Sequence, residues 1–286
     1  MGKRIVLFND LPGYGKVALA AMVPLFSRMG HFPYQVPTAV VSNTLDFGKF
    51  RIQDMTDYMR DTIKVWDELG FDPDCICTGF VLSEEQVELI GDYIRSRKPR
   101  INEIQNVNNG RLVMVDPIMA DGGKLYNGIG MERVAAMRKL VSYSDVMVPN
   151  MTEAGFLTGI CPGRERASAA ELRELVDGLH KLSGKSVVIT SAQDSETDEH
   201  LVCGYDHKSG QYFRVPFIFF PVRVAGSGDI FSTVMTGKLL NGESLEAAVR
   251  EAVRVLTALI RENQSHLDEY KGILVERYWK LLDENN

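Results

Sequence analysis

The sequence predicts an α/β fold: a central, mostly parallel sheet with helices on both faces and an antiparallel hairpin at one edge. Three observations predict it. Short β-rich runs alternate with helical patterns along the whole chain, the order expected of βαβ units. Several runs are almost continuously apolar, such as Leu112-Val113-Met114-Val115 and Val187-Val188-Ile189-Thr190, as strands covered on both faces are. Two further runs, 199–205 and 211–216, flank the turn-like His207-Lys208-Ser209-Gly210, which reads as a hairpin.

Taken in order, the strands are expected at 3–8, 36–41, 74–79, 111–116, 144–149, 185–191, 199–205 and 211–216. Helices are expected at 16–29, 54–69, 83–97, 130–142, 168–183, 230–241, 245–262 and 267–283, where apolar residues recur three and four apart. The basic run Arg95-Ser96-Arg97-Lys98-Pro99-Arg100 ends a helix and solvates the loop after it. The proline-bracketed patch Val215-Pro216-Phe217-Ile218-Phe219-Phe220-Pro221 reads as an extended segment, buried or covered by a partner. No repeat, low-complexity stretch or linker composition interrupts the chain, so residues 1–286 read as a single domain.

Composition narrows the function. The 286 residues are 45% hydrophobic and 24% charged, with a formal net charge of −6. That balance is globular, and the missing basic excess argues against nucleic acid as the main partner. The apolar run Ile5-Val6-Leu7-Phe8 stops at Asn9-Asp10, too short for a signal peptide. No stretch approaches the roughly 18 apolar residues of a membrane span. Cys75 and Cys77 lie two apart on one expected strand, and with Cys161 and Cys203 they offer no paired zinc-ligand spacing. So few cysteines suit a reducing cytoplasm.

Polar residues gather where the expected strands end. Asn9 and Asp10 follow the first, Ser42 and Asn43 the second, Asp116-Pro117 the fourth and Asn150 with Glu153 the fifth; Thr190 and Ser191 end the sixth. Ligands of open parallel sheets bind outside these carboxyl ends.

Ala225-Gly226-Ser227-Gly228-Asp229 precedes the last apolar helices. Two glycines allow a tight turn that delivers free backbone N–H groups at a helix N-terminus, which suits a phosphate. Asp229 is then either the helix N-cap or a base that takes a proton from a nucleophile. Asp116, Asp121 and Glu153 with Asn150 are hard oxygen donors of the kind that serve Mg²⁺ on substrate phosphates. Taken singly, Glu153 also reads as a first-turn helix acid and Asp116 as a turn residue. Gly13-Tyr14-Gly15-Lys16-Val17-Ala18 fits the dinucleotide fingerprint G-x-G-x-x-A. Asn9-Asp10-Leu11-Pro12 separates it from its strand, and the next strand ends in Val41-Ser42-Asn43 without the ribose-binding acid. Asp46-Phe47-Gly48 spells a protein-kinase triplet, but no H-R-D loop accompanies it.

The pentapeptide 225–229 resembles the G-[TS]-G-D anion-hole motif of ribokinase-like small-molecule kinases. Asp116-Pro117-Ile118-Met119-Ala120-Asp121 is similar to D-P-V-M-G-D of the pyridoxal kinase branch, and Val148-Pro149-Asn150-Met151-Thr152-Glu153-Ala154 to its T-P-N-x-x-E-A. Pro37-Thr38-Ala39-Val40-Val41-Ser42-Asn43, followed by Gly48-Lys49-Phe50, resembles N-T-V-Q-F-S-N…G-K-W. Together these motifs point to the pyridoxal/pyridoxine/pyridoxamine kinases. The resemblance implies a ribokinase-like kinase that uses ATP and Mg²⁺ to phosphorylate the 5′-hydroxymethyl group of a B6 vitamer. It implies Asp229 as the base, with Ala225, Gly226, Ser227 and Gly228 as the anion hole. Asp121, Asn150, Thr190 and Ser191 would serve the nucleotide, Asp116 and Glu153 the metal, and Asp10, Ser42, Gly79 and Phe80 the vitamer. It also implies a homodimer.

Three departures fall mostly on the substrate side: Asp10 stands where the family has Ser, Leu45 where it has a ring-contacting Thr, and Val148 where it has the Thr of T-P-N, which serves a monovalent cation. A hydroxymethylpyrimidine kinase of the same fold and a non-catalytic pyridoxal phosphate carrier are the alternatives. The intact Asp229 argues against the carrier, which has no use for a negative charge beside phosphate.

Overall fold

The computed structural model describes residues 2–97, 111–126, 129–264, 272–277 and 280. The chain begins with β1 (Arg4–Pro12), α1 (Ala18–Arg28), β2 (Phe32–Val41), β3 (Ile52–Asp54) and α2 (Thr56–Glu68). It continues with β4 (Cys75–Thr78), α3 (Glu84–Arg97), β5 (Leu112–Val115), the short pair β6 (Ala120–Asp121) and β7 (Lys124–Leu125), and α4 (Met131–Val141). Then come β8 (Val146–Met147), α5 (Met151–Thr158), β9 (Arg166–Ala167), α6 (Ala169–Ser183), β10 (Ser186–Asp194), β11 (His200–Asp206) and β12 (Gln211–Pro216). Helices α7 (Ser227–Leu240) and α8 (Leu245–Asn263) and a 3₁₀ turn at Val275–Arg277 complete it.

These elements form two compact units, Met1–Pro73 with Ile218–Asn286, and Asp74–Phe217. The second is inserted between two pieces of the first, so no composition shift along the chain marks it.

In the first unit β1 pairs in parallel with β2, from Arg4 opposite Phe32 to Pro12 opposite Val41. The register slips between Asn9 and Leu11, an irregularity of the kind that re-aims side chains. β3 adds an antiparallel edge to β2. Ile5, Val6, Leu7 and Phe8 are all buried, so β1 is covered on both faces. Helix α1 packs on β1, β2 and α7, and α7 packs on α8. Every residue of α7 from Ile230 to Lys238 is buried, so this helix carries no amphipathic stripe.

In the second unit the order is β12-β11-β10-β8-β5-β4. β4, β5, β8 and β10 run parallel, and β11 and β12 form the antiparallel edge hairpin. Gly210, with φ +69°, closes its turn. Asn150 caps α5 and Ser168 caps α6, each in a reciprocal capping box with the glutamate three residues on.

The sequence expectation holds for the alternation and the edge hairpin, and differs in detail. β1 continues to Pro12, so Asn9 and Asp10 lie within it rather than after it. β10 continues to Asp194, so Thr190 and Ser191 are interior to it. β2 starts at Phe32, and β8 keeps only Val146–Met147. Helix α5 has eight residues, most of them buried, and therefore shows no periodic face. β3, β6, β7 and β9 have two or three residues each, too few for alternation to show. The helix expected at 267–283 is not α-helical at 272–277, where the chain makes only the 3₁₀ turn. Gly272 there lies against Lys16 N and Ala225 O, so tertiary packing overrides the local pattern. The rest of that stretch, Lys280 excepted, lies outside the described residues. In the proline-bracketed patch Val215 is buried, whereas Ile218 and Phe219 are 59% and 53% exposed.

Ser168→Ala removes the cap of α6 and leaves the Glu171 amide without its acceptor. We expect a loss of about 1 kcal/mol, measured as a lower urea midpoint at constant slope. An unchanged midpoint would show that the box contributes nothing.

Candidate active site

The site is built from the residues of each unit in turn. In the first unit, Gly226 is the N-cap of α7, with φ +81°. A Cβ at this position would lie 2.8 Å from Lys16 O and 3.1 Å from Val17 Cγ1, so both the backbone conformation and the space require glycine. Ser227, Gly228 and Asp229 form the first helical turn, whose amides lack helical acceptors. Ser227 N–H is used, at 3.3 Å, by Val224 O. Beside Gly228, which is exposed, a Cβ would meet nothing within 4 Å. The turn thus presents helix-end amides to an open space, the arrangement that binds anions.

Asp229 is the third helical residue, so the N-cap reading is corrected: the cap is Gly226. Its side chain turns away from its own helix. Oδ1 accepts a hydrogen bond from Asn9 Nδ2 (3.1 Å), and Oδ2 accepts one from the Ala18 backbone N–H (2.8 Å). Ala18 opens α1 and holds φ at +48°, a left-handed conformation that costs a non-glycine residue about 1 kcal/mol or more. Burial pushes the Asp229 carboxyl above its ordinary range, while the Ala18 and Asn9 donors pull it back. The result is a carboxylate that is fixed, largely dehydrated and basic for its type.

Asp10 lies beside it on β1. Burial, with the negative charge of Asp229 adding to it, raises the Asp10 carboxyl to about 7. Its own backbone N–H donates to Asn9 Oδ1 at 3.0 Å. The carboxyl therefore changes charge near neutral pH.

The loop between β1 and α1 is stitched to the end of β2. Gly13 N–H donates to Val41 O (2.7 Å), Tyr14 N–H to Ser42 O (3.1 Å) and Thr44 N–H to Tyr14 O (2.9 Å). Within the G-x-G-x-x-A segment, the Gly13, Tyr14 and Ala18 amides are thus engaged inside the protein. Ser42 Oγ donates to Asn43 Oδ1 and accepts the Arg51 N–H. Thr44 Oγ1 is buried beside Gly15 without a partner; sequence reading passed over it.

In the second unit, Glu153 is 2% exposed and forms a hub of backbone contacts. Its Oε1 accepts the N–H groups of Met119 (3.0 Å) and Ala120 (3.4 Å), and Oε2 accepts that of Asn150 (2.9 Å). Asn150 Oδ1 accepts the Glu153 N–H (2.9 Å), and its Nδ2 donates to Ala120 O (2.7 Å). Burial lifts the Glu153 carboxyl to about 7 against the pull of these amides. The motif around Asn150 and Glu153 thus ties the start of α5 to residues 119–121. Asp121 follows on β6, exposed, with Oδ1 accepting the Gly122 N–H. Asp116 directly follows β5 and is buried. Asn150 also bridges Thr190 in parallel, and exposed Ser191 sits at φ +55°, in the register break of β10. Gly79 is buried and Phe80 half-buried just past β4. Among the described residues, no three His, Cys, Asp or Glu side chains gather as a metal site. Nor is any helix long and apolar enough to cross a membrane.

The raised Asp10 carboxyl has a stability consequence with a definite sign. Between its unfolded value of 3.8 and its folded value of about 7, the native state holds a proton that the unfolded state has lost. Stability therefore falls as pH rises through that window. Asp10→Asn should stabilise the protein by up to about 3 kcal/mol at pH 8, and the gain should vanish near pH 4. Thermal melts across pH test this; a pH-independent difference would remove the assigned titration.

Known proteins resemble this chain in sequence and in fold. Residues 20–274 match the family model described as phosphomethylpyrimidine kinase. A pyridoxine/pyridoxal/pyridoxamine kinase of Bordetella avium is 31% identical over 250 residues, 85% of this chain and 79% of that protein. A Bacteroides thetaiotaomicron protein described as a phosphomethylpyrimidine kinase, in a crystal form with pyridoxal, is 32% identical. Its TM-score is 0.90, covering 99% of this chain and 96% of its own. The pyridoxal kinase of Leishmania donovani, in complex with ADP and pyridoxamine, shares the fold at 20% identity and a TM-score of 0.84, over 98% of this chain and 95% of its own. The architecture is the ribokinase-like α/β fold, and the chain belongs to the phosphomethylpyrimidine kinase family.

Proposed function

We propose that this protein transfers the γ-phosphoryl group of ATP to the 5′-hydroxymethyl oxygen of a B6 vitamer. The observation that carries the proposal is the clamped carboxylate of Asp229 in the first turn of a helix whose N-terminal amides face open space. Asp229 takes the proton of the substrate hydroxyl as its oxygen attacks phosphorus. The new O–P bond forms, the bond from phosphorus to the ADP oxygen breaks, and the amides of the 226–228 turn hold the charge on the transferring group. Ala225 shapes the entry to the turn.

In the second unit, Asp121, Thr190 and Ser191 serve the nucleotide. Asn150 and Glu153 set the 119–121 segment in place. Both Glu153 oxygens already take amide hydrogens, but Oε2 keeps one acceptor position. That fits a contact through a metal-bound water rather than direct ligation, and Mg²⁺ keeps several of its waters. Asp116 is the companion carboxylate. Mg²⁺ bound to ATP would supply neutralisation of phosphate charge.

The vitamer reading rests on Asp10, whose carboxyl feels the charge of the base, with Ser42, Gly79 and Phe80 taken from the family resemblance. The pyrimidine alternative shares the base and the turn, and it carries the family model's own description. A homodimeric, cytoplasmic enzyme completes the proposal. Turnover of ATP with pyridoxal, pyridoxine, pyridoxamine and hydroxymethylpyrimidine, each with and without Mg²⁺, separates the substrates. Preference for hydroxymethylpyrimidine would replace the vitamer reading.

Asp229→Asn keeps the shape of the side chain and removes the base. Turnover should fall by about two to four orders of magnitude while ATP affinity holds or improves. Near-wild-type turnover would end the mechanism. Asp10 brings negative charge to the pocket as it ionises, which favours a protonated ring or the aminomethyl group of pyridoxamine. Asp10→Ser should therefore shift kcat/KM from pyridoxamine toward pyridoxal. Identical ratios in both proteins would leave Asp10 without a substrate role.

A further inference from the structure

We propose that Asn9 is the positioning residue of the Asp229 base, fixing the direction of its carboxylate and keeping it ionised. This rests on the reading of Asp229 as the base. Asn9 is 1% exposed, and its carboxamide cannot reverse without loss. Its Oδ1 accepts the Asp10 backbone N–H at 3.0 Å, so Nδ2 must face the other way. There it donates to Asp229 Oδ1 at 3.1 Å and lies 3.3 Å from Met22 Sδ. A reversed amide would set its oxygen against the carboxylate and its NH₂ against an N–H.

The second oxygen of Asp229 is held by the Ala18 N–H. Each oxygen thus has one donor, from β1 and from the N-terminus of α1, and each keeps a lone pair. Two donors on two elements fix the plane of the carboxylate, so the remaining lone pairs point in set directions. The backbone invests strain in the same clamp. Ala18 takes φ +48° where it donates, and the β1 register breaks immediately after Asn9. Strain of this kind persists where the surroundings over-determine it, commonly at functional sites.

Asn9 also has a purely structural use, the bond to the Asp10 N–H, so the test must separate the two. Asn9→Asp does so. An aspartate keeps the volume and the acceptor for the Asp10 N–H, and replaces only the donor to Asp229. Asn9→Leu removes the donor with an uncharged side chain of similar size.

Titratable neighbours in this unit enter the pH profile. Asp10 lies on β1, and Lys16, paired with Glu276, precedes α1. α1 has only Arg28, in its last turn, and α7 has Lys238 at its far end with Glu243 and Glu251. His31 packs on α1 and meets the Gly237 carbonyl of α7, and burial lowers its ring from its ordinary value; Asp10 is raised to about 7, so each variant is measured alone and in an Asp10→Asn background.

The experiment is the pH dependence of kcat/KM for the vitamer, with KM for ATP and circular dichroism as controls. Loss of a hydrogen bond to a charged acceptor should move the acid limb up by about one pH unit in Asn9→Leu, a tenfold lower rate on the limb. The shift should be larger in Asn9→Asp, where a like charge is added. KM for ATP should stay within about twofold, since a positioning defect acts on the ionisation and aim of the base. The limb position does not depend on how much protein is active, so either variant that folds suffices. An acid limb at the wild-type position in a folded variant overturns the proposal. If Asp229→Asn keeps its activity, the base assignment itself has failed; if Asp229→Asn is inactive and the limb is unmoved, only the role of Asn9 has.

Discussion

A carboxylate removed from water is destabilised unless donors replace its hydration. Asp229 meets that constraint with one side-chain amide and one backbone amide, from two different elements. Much of the first unit serves to bring those donors together. β1 supplies Asn9, the register break lets the strand carry on past it, and the Ala18 amide is aimed by an unfavourable backbone angle. Gly226 lets α7 begin against the Lys16 carbonyl with no Cβ in the way, which sets Asp229 at the level of those donors. The motif G-S-G-D is therefore only half of the device; its other half is the β1–α1 connection, more than 200 residues earlier in the chain.

The second unit solves a related problem in a different way. Glu153 is buried more deeply than Asp229, and three backbone amides surround it. Those amides belong to the start of α5 and to Met119 and Ala120 at the start of β6, so the carboxylate joins the helix to the short β6–β7 pair. Asn150 repeats the logic from the other direction. If Glu153 supports a metal as proposed, it does so while acting as a structural staple, and the remaining lone pair on Oε2 is what would let the two uses coexist.

Asp10 shows the cost of crowding charges. Two carboxyls in one desolvated pocket cannot both ionise cheaply, and Asp10, without the two donors that Asp229 has, is the one held protonated up to about 7. On the reading of Asp229 as the base, this leaves it the better placed of the two. A cationic ligand beside Asp10 would relieve the same conflict, which links the stability of the empty pocket to what it prefers to bind.

Sequence alone determined the alternation of strands and helices, the edge hairpin and the short motifs around Asp116, Asn150, Glu153 and Asp229, because each is written in residues close together in the chain. Apolar runs, turn glycines and capping pairs act over a few residues, so their signals survive without a structure. The short strands, α5 and the end of β1 were not legible, because two-residue pairings and helices buried all round have no periodicity to read. The helix pattern at 267–283 misled at 272–277 because contact with the Lys16 and Ala225 backbone outweighs local propensity. Asn9 was visible only as a polar residue near a strand end, and Ala18 only as part of a dinucleotide-like fingerprint. Which donors meet the Asp229 carboxylate is decided by the tertiary structure, since hydrogen bonds over such sequence separations depend on how β1, α1 and α7 pack, and no local pattern encodes that.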